Sequence, residues 1–96
     1  MSPINLKNLN ILRKKLDTID NSLIRIIKKR TEIVKKVLKL KKYKNQIVDR
    51  KRIRLILGKI ESKSIKNNID PKITKRIWKN MIWAYIDYEK RNFKKK

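Results

Sequence analysis

The chain has no cysteine and no histidine among its 96 residues. Without cysteine it has no disulfide framework, no thiolate nucleophile and no cysteine-based zinc site. Without histidine it lacks the most common general base and metal ligand. We therefore expect no metal site and no chemistry that depends on a covalent nucleophile.

Long apolar runs are missing as well. No stretch approaches the ~20 apolar residues of a membrane span. The segment from Met1 to Leu9 also lacks the continuous apolar stretch of a signal peptide. These absences predict a cytoplasmic protein without a membrane partner.

Acidic residues are scarce, with 8 aspartates and glutamates against 30 lysines and arginines and a formal net charge of +22. A charge of this size ordinarily favours nucleic acid or an anionic membrane as a partner. The lysines occur in nearly every segment, however, which equally fits a surface on which lysine is the usual polar residue. Charge alone therefore leaves the partner open.

The scarcity of glycine and proline leaves few breaks, and the apolar periodicity predicts an all-α fold of three helices in a single domain, residues 1–96. The first helix, about residues 5–42, is far longer than the ~11–12-residue average. The rest of the chain cannot cover it, so we expect a homodimer that pairs this helix with its twin. Its apolar seam advances in three- and four-residue steps through Leu9, Leu12, Leu16, Ile19, Leu23, Ile26, Arg30, Ile33, Val37 and Leu40.

Two shorter helices follow a connection at residues 43–47. The second is predicted over about residues 48–63, and Asn67-Asn68 separates it from the third, over about residues 71–93. Asp70 as N-cap and Pro71 as first helical residue mark the start of the third helix; residues 94–96 form a basic tail. The predicted inner faces are Ile53, Ile56, Leu57 and Ile60 on the second helix, and Ile73, Ile77, Met81, Ala84, Tyr85 and Tyr88 on the third.

Arg30 stands in a central position of the apolar seam. A cation there is costly unless an anion meets it. Lys41 lies eleven residues further on, about 20° around the helix and roughly 16 Å along it. Two cations on one side of a helix are typical of a receptor for a small polyanion.

Polar residues also border the apolar stripes elsewhere. Arg13 lies one residue away from the seam position Leu12 on the first helix. Asp49 and Arg52 share a face of the second helix, and Glu89 lies one turn beyond Tyr85 on the third. Taken singly, the arginines could equally be solvated residues or members of weak surface ion pairs.

Taken together, these residues resemble the all-helical type II chorismate mutases over Leu9 to Glu89. The most specific part is the joint spacing of the opening motif and the cations that follow. The matching positions are Leu12-Arg13-x-x-Leu16-Asp17-x-Ile19-Asp20, Leu23, Ile26-Ile27, Arg30, Lys41, Asp49-x-x-Arg52 and Ile69-Asp70.

The resemblance implies an intertwined homodimer that converts chorismate, a small dianion, to prephenate without a cofactor. Arg30 would bind one carboxylate and Arg13, reaching in from the partner subunit, the other; Arg13 lies about 100° from Arg30 around the helix, which fits a different pocket. Lys41 would donate to the ether oxygen, Asp49 would bind the ring hydroxyl, and Arg52 would support the wall of the site.

Two positions depart from the usual pattern of that family. Ile53 stands where the mutases usually have a glutamate that contacts the ring hydroxyl. Glu89 stands where many members have a glutamine that donates to the ether oxygen, so Glu89 must be protonated to fill that role. We expect activity to fall as pH rises through neutrality. Tyr85 is a further candidate substrate contact.

Three other functions stay open. The isochorismate-pyruvate lyases, which form salicylate, share the fold and the cationic clamp; Ile53 and Tyr85 favour them, whereas Asp49 favours the mutase. A basic helical nucleic-acid-binding protein would place aromatic rings among cations on an exposed face, for which Trp78 and Trp83 give little support. A purely structural coiled coil is disfavoured by Arg30.

Overall fold

The structure, a computed structural model, describes residues 1–95 and is all α-helical there, as predicted. Helix α1 spans Pro3–Leu40, a short 3-10 turn spans Lys44–Gln46, α2 spans Arg50–Lys66 and α3 spans Pro71–Asn92. The observed ends differ from the predicted ones by up to three residues. Of the predicted basic tail, Lys96 lies outside the described residues.

The chain divides into two compact units, one from Met1 to Ile33 and the other from Val34 onward. The first unit consists almost entirely of α1, and α1 contains no buried residue anywhere along its 38 residues. The seam side chains are therefore in solvent, about half exposed in most cases. They include Leu12 (56%), Leu16 (58%), Ile19 (55%), Leu23 (48%), Ile26 (57%) and Ile33 (60%).

The second unit is built on the packing of α2 against α3. Ile47, in the connection after α1, and Ile86 on α3 are its buried hydrophobic residues within the described part of the chain. The predicted inner face of α2, which contains Ile53, Ile56, Leu57 and Ile60, is half-buried. This small core holds the short helices together and leaves most of the apolar surface of the chain uncovered.

The inner face of α3 agrees with the prediction only in part. Met81, Tyr85 and Tyr88 are half-buried, but Ala84 is exposed and Ile73 and Ile77 are 55% and 53% exposed. The buried residues of α3 are Thr74, Ile86 and Glu89. The prediction used hydropathy alone, whereas the face that α3 turns toward α2 also depends on hydrogen-bond partners between the two helices. Thr74 lies within hydrogen-bond distance of Ser64 on α2, with 2.6 Å between the hydroxyl oxygens, so a polar residue is buried at no cost in unmade hydrogen bonds.

The link between α2 and α3 follows the predicted local chemistry. Asn68 adopts a positive φ of 57°, a conformation that asparagine tolerates better than most residues. It lies two residues after the last residue of α2, Lys66, and turns the chain away from the helix axis. Asp70 then caps α3, because its Oδ1 accepts a hydrogen bond from the Lys72 backbone N–H at 2.9 Å. Pro71 is the first residue of the helix, as expected.

Candidate active site

An ion pair between Lys41 and Glu89 joins the end of α1 to α3. Lys41 is the first residue after α1, and its Nζ lies 3.2 Å from Glu89 Oε1 and 3.5 Å from Oε2. The Lys41 side chain is 20% exposed and the Glu89 side chain 8%. A carboxylate this deeply buried requires a partner, since an unpaired charge away from water is strongly unfavourable. The pair therefore fixes the Lys41 ammonium in one place.

An open depression of about 1130 Å³ lies beside this pair, within the second unit. Four of the side chains that line it are basic and one is acidic, so the depression is electropositive. Its size suits a small molecule, and its charge favours an anion. The lining residues are Lys41, Lys44, Asn45, Gln46, Val48, Asp49, Arg50 and Lys90.

Asp49 lies in this depression with one carboxylate oxygen already engaged. It is the N-cap of α2, and its Oδ1 accepts a hydrogen bond from the Arg52 backbone N–H at 2.9 Å. Within residues 1–95 its Oδ2 makes no such bond, so that oxygen is available to accept from a hydroxyl of a ligand. Helix capping thus holds the carboxylate still at the edge of the electropositive depression.

Four of the predicted site residues in the second unit do not line this depression. Arg52 is exposed and contributes its backbone N–H to the cap, while Ile53 and Tyr85 are half-buried. Glu89 does not line it either, but it reaches the site through Lys41. The structure therefore brings together Lys41, Glu89 and Asp49 out of the predicted set.

The two predicted arginines of α1 belong to the first unit. Arg13 is exposed and Arg30 is half-buried. Their roles as clamps for carboxylates stay predictions that rest on the sequence.

Several residues that line the depression were not predicted as site residues from the sequence. Lys44, Arg50 and Lys90 line the depression, but nothing distinguishes them from the other basic residues of so basic a chain. Gln46 was assigned only to a connection. Its amide oxygen accepts from two backbone N–H groups, an arrangement that leaves no mark on hydropathy or charge.

Residues 1–95 contain no group of three or more acidic side chains that could hold a metal ion, and no helix among them is long and apolar enough to cross a bilayer. In this part of the chain, the electropositive depression beside the Lys41–Glu89 pair has the charge that a site for a small anion would need. Residues 12–90 match the sequence model of the type II chorismate mutases, and the chain belongs to this family. The predicted resemblance is confirmed. No curated protein sequence and no solved structure matches the chain.

Proposed function

We propose that the protein is a chorismate mutase, which rearranges chorismate to prephenate in the branch toward phenylalanine and tyrosine. The observation that carries the proposal is the Lys41 ammonium, held 3.2 Å from a buried Glu89 carboxylate at the wall of an electropositive depression. Family membership supports the same reaction. The expectation of a cytoplasmic enzyme without a cofactor comes from the sequence and belongs to this proposal.

The reaction asks for positioning and electrostatics rather than for proton transfer. In a Claisen rearrangement the ether C–O bond breaks while a C–C bond forms within the same molecule, so no atom enters or leaves. The substrate must be folded so that the reacting carbons meet, and negative charge grows on the ether oxygen. A chain without histidine or cysteine can supply both requirements with cations alone.

Lys41 is the donor that we assign to the ether oxygen. Its ammonium carries three N–H groups, and the contacts with Glu89 leave donor capacity for a ligand in the depression. A hydrogen bond from Lys41 strengthens as the ether oxygen gains charge, so it favours the transition state over the bound substrate. Glu89 either holds Lys41 or, when protonated, donates to the same oxygen.

Asp49 is assigned to the ring hydroxyl, through the carboxylate oxygen that does not cap α2. Arg52, Ile53 and Tyr85 are proposed as further walls of the substrate site. Ile53 cannot accept a hydrogen bond, so hydroxyl recognition depends on Asp49 and backbone groups.

The substrate's carboxylates are assigned to arginines of α1 in a homodimer. A helix of 38 residues with no buried side chain and an apolar seam is unlike a solvated surface helix and calls for a partner. Complete burial of a leucine or isoleucine stabilises by about 1.5–3 kcal/mol, so covering half-exposed seam residues contributes about 1 kcal/mol each. In the proposed dimer, Arg30 binds one carboxylate and the partner's Arg13 the other.

The deciding experiment follows the ultraviolet absorbance of chorismate on addition of purified protein, with the product identified by chromatography. We expect prephenate, and we expect Arg30→Ala to lower kcat/KM by about 10- to 100-fold, because a hydrogen bond between charged groups contributes about 1.5–3 kcal/mol. Lys29→Ala is the matched control, since it removes the neighbouring, exposed cation.

Absence of chorismate loss would contradict the proposal. The same assay with isochorismate then decides between the lyase and a protein that is not an enzyme of this kind. Loss of isochorismate with release of pyruvate would establish the lyase, and inactivity on both substrates would leave a binding function.

A further inference from the structure

Helix α1 ends at an unusual place. It stops at Leu40, and neither glycine nor proline occurs among the residues that follow up to Asp49. Helices commonly end on a glycine with positive φ or shortly before a proline. The Lys41 N–H still donates to the Leu38 carbonyl, at 3.2 Å, in a tightened last turn. The backbone N–H groups of the next two residues, Lys42 and Tyr43, no longer donate to carbonyls of α1.

The side chain of Gln46 accepts hydrogen bonds from the backbone just beyond the end of α1. Its side-chain Oε1 accepts from the Lys42 N–H at 2.8 Å and from the Tyr43 N–H at 2.9 Å. In a continued α-helix the same two N–H groups would donate to the carbonyls of Leu38 and Lys39. One amide oxygen therefore captures both donors that the next turn of α1 would need.

The turn that carries Gln46 is itself anchored. The Gln46 backbone N–H donates to the Tyr43 carbonyl at 3.1 Å, and the following N–H, of Ile47, donates to the Lys44 carbonyl at 3.2 Å. Ile47 is 3% exposed and is one of the buried hydrophobic residues of the second unit. The turn that carries Gln46 is thus anchored beside a buried residue, and the Gln46 side-chain amide contacts the backbone of the two residues directly after Lys41.

We propose that Gln46 is a positioning residue for Lys41: by ending α1 at Leu40, its amide oxygen sets the direction in which the Lys41 side chain leaves the backbone. The inference rests on the proposed function, because it concerns the lysine assigned to the ether oxygen. Gln46 also lines the depression that contains Lys41 and Asp49.

The geometric consequence of losing the acceptor follows from helix dimensions. If the N–H groups of Lys42 and Tyr43 return to helical acceptors, α1 lengthens into the connection, and each added residue turns by about 100° and advances only about 1.5 Å. The connection to α2 then has fewer residues with which to span the same gap. Contact between Lys41 Nζ and Glu89, now 3.2 Å, is the first to be affected.

The test compares Gln46→Leu, which has no acceptor, with Gln46→Glu, whose carboxylate oxygen can accept from the same two N–H groups. Gln46 is exposed, so neither variant disturbs the core. We expect Gln46→Leu to lower kcat about three- to tenfold with KM changed less than twofold, because Lys41 acts mainly in the transition state. Gln46→Glu should restore kcat to within twofold of the wild type.

Lys42→Gln is the matched control, because it changes a side chain of the same segment, removes none of the backbone donors and should leave kcat within twofold. Backbone NMR gives a readout independent of turnover. In Gln46→Leu the Cα shifts of Lys42 and Tyr43 should move toward helical values, while Gln46→Glu and Lys42→Gln keep the wild-type shifts. If Gln46→Leu fails to fold, Gln46→Asn replaces it, since its shorter amide cannot reach both donors.

The inference is overturned if Gln46→Leu keeps the wild-type kcat, or if Gln46→Glu is as impaired as Gln46→Leu. If the Cα chemical shifts of Lys42 and Tyr43 in Gln46→Leu stay at their wild-type values, that result alone would refute the claim that Gln46 ends α1. A wild-type protein that does not act on chorismate would refute the proposed function, and the NMR comparison would still decide whether Gln46 ends α1.

Discussion

Lys41→Met tests the ion pair through stability, without reference to activity. Methionine keeps an unbranched stem of similar length and removes the ammonium. It leaves the carboxylate of Glu89, a residue only 6% exposed, without its cation. Removing one partner of a buried pair costs about 3–5 kcal/mol, because the remaining charge is uncompensated. Lys41 retains 20% exposure beside an open depression that admits water, so we expect a loss somewhat below this range, about 2–3 kcal/mol.

The opposite substitution should be much milder. Glu89→Gln keeps the shape of the side chain, and its amide oxygen can still accept from Lys41. The lysine, the more exposed partner, can turn its ammonium toward solvent. We therefore expect a loss of about 1 kcal/mol or less. This asymmetry follows from the unequal burial of the two side chains and from the hydrogen-bond acceptor that glutamine retains and methionine cannot replace.

Urea unfolding, followed by circular dichroism at one fixed protein concentration, measures both losses. A fixed concentration is needed because dimerisation would couple to folding. The double variant Lys41→Met/Glu89→Leu removes both charges and should recover more than half of the loss seen in Lys41→Met. Equal losses for Lys41→Met and Glu89→Gln, or a double variant no more stable than Lys41→Met, would refute the reasoning.

Three further results are expected. Leu16→Asp places a carboxylate in the exposed seam of α1 and should shift sedimentation from dimer to monomer with at least about tenfold loss of activity; an unchanged dimer would contradict the proposed interface. Glu89→Gln presents an amide N–H that can donate to the ether oxygen, so it should keep chorismate turnover, whereas Glu89→Leu can neither donate nor hold Lys41 and should lose about tenfold or more in kcat; equal activities of the two variants would contradict this role of Glu89. Asp70→Ala removes the cap at the Lys72 N–H and should cost about 1 kcal/mol in urea, whereas Asp70→Asn should cost little.

The helices were predictable because their local signals agree. The apolar period of α1, the Asp70-Pro71 start of α3 and the asparagines before it each act within a few residues of the feature they determine. The end of α1 was placed two residues too late because the residue to which we attribute it carries no characteristic sequence signal. The donors of Lys42 and Tyr43 are captured by Gln46, and a polar side chain in a connection has several equally good uses.

One contact of the candidate site, the Lys41–Glu89 pair, involves a residue that the sequence already singled out, because its charge conflicts with its apolar surroundings. Glu89 drew attention as a polar residue at the border of an apolar stripe, and it is buried against Lys41. The face of α3 was harder, since Thr74 is buried through its contact with Ser64 while Ile73 and Ile77 lie outside. A pairing between hydroxyls on two helices depends on their relative rotation, which hydropathy does not encode.

These misplaced isoleucines bear on how the protein is assembled. In the described part of the chain the buried hydrophobic side chains are Ile47 and Ile86, whereas the seam of α1 and two isoleucines of α3 are exposed. Hydrophobic burial is the main favourable term in folding, so a protomer that buries this little would be marginal alone. Of the five buried residues in the described part of the chain, three are polar or charged: Ser64 and Thr74, which contact each other, and Glu89, which pairs with Lys41. Polar pairs of this kind fix the relative positions of side chains more than they stabilise the fold. In the proposed homodimer they would hold Lys41 in place, and the second copy would supply the missing hydrophobic burial. Association would then stabilise a site whose central lysine is already oriented within one chain.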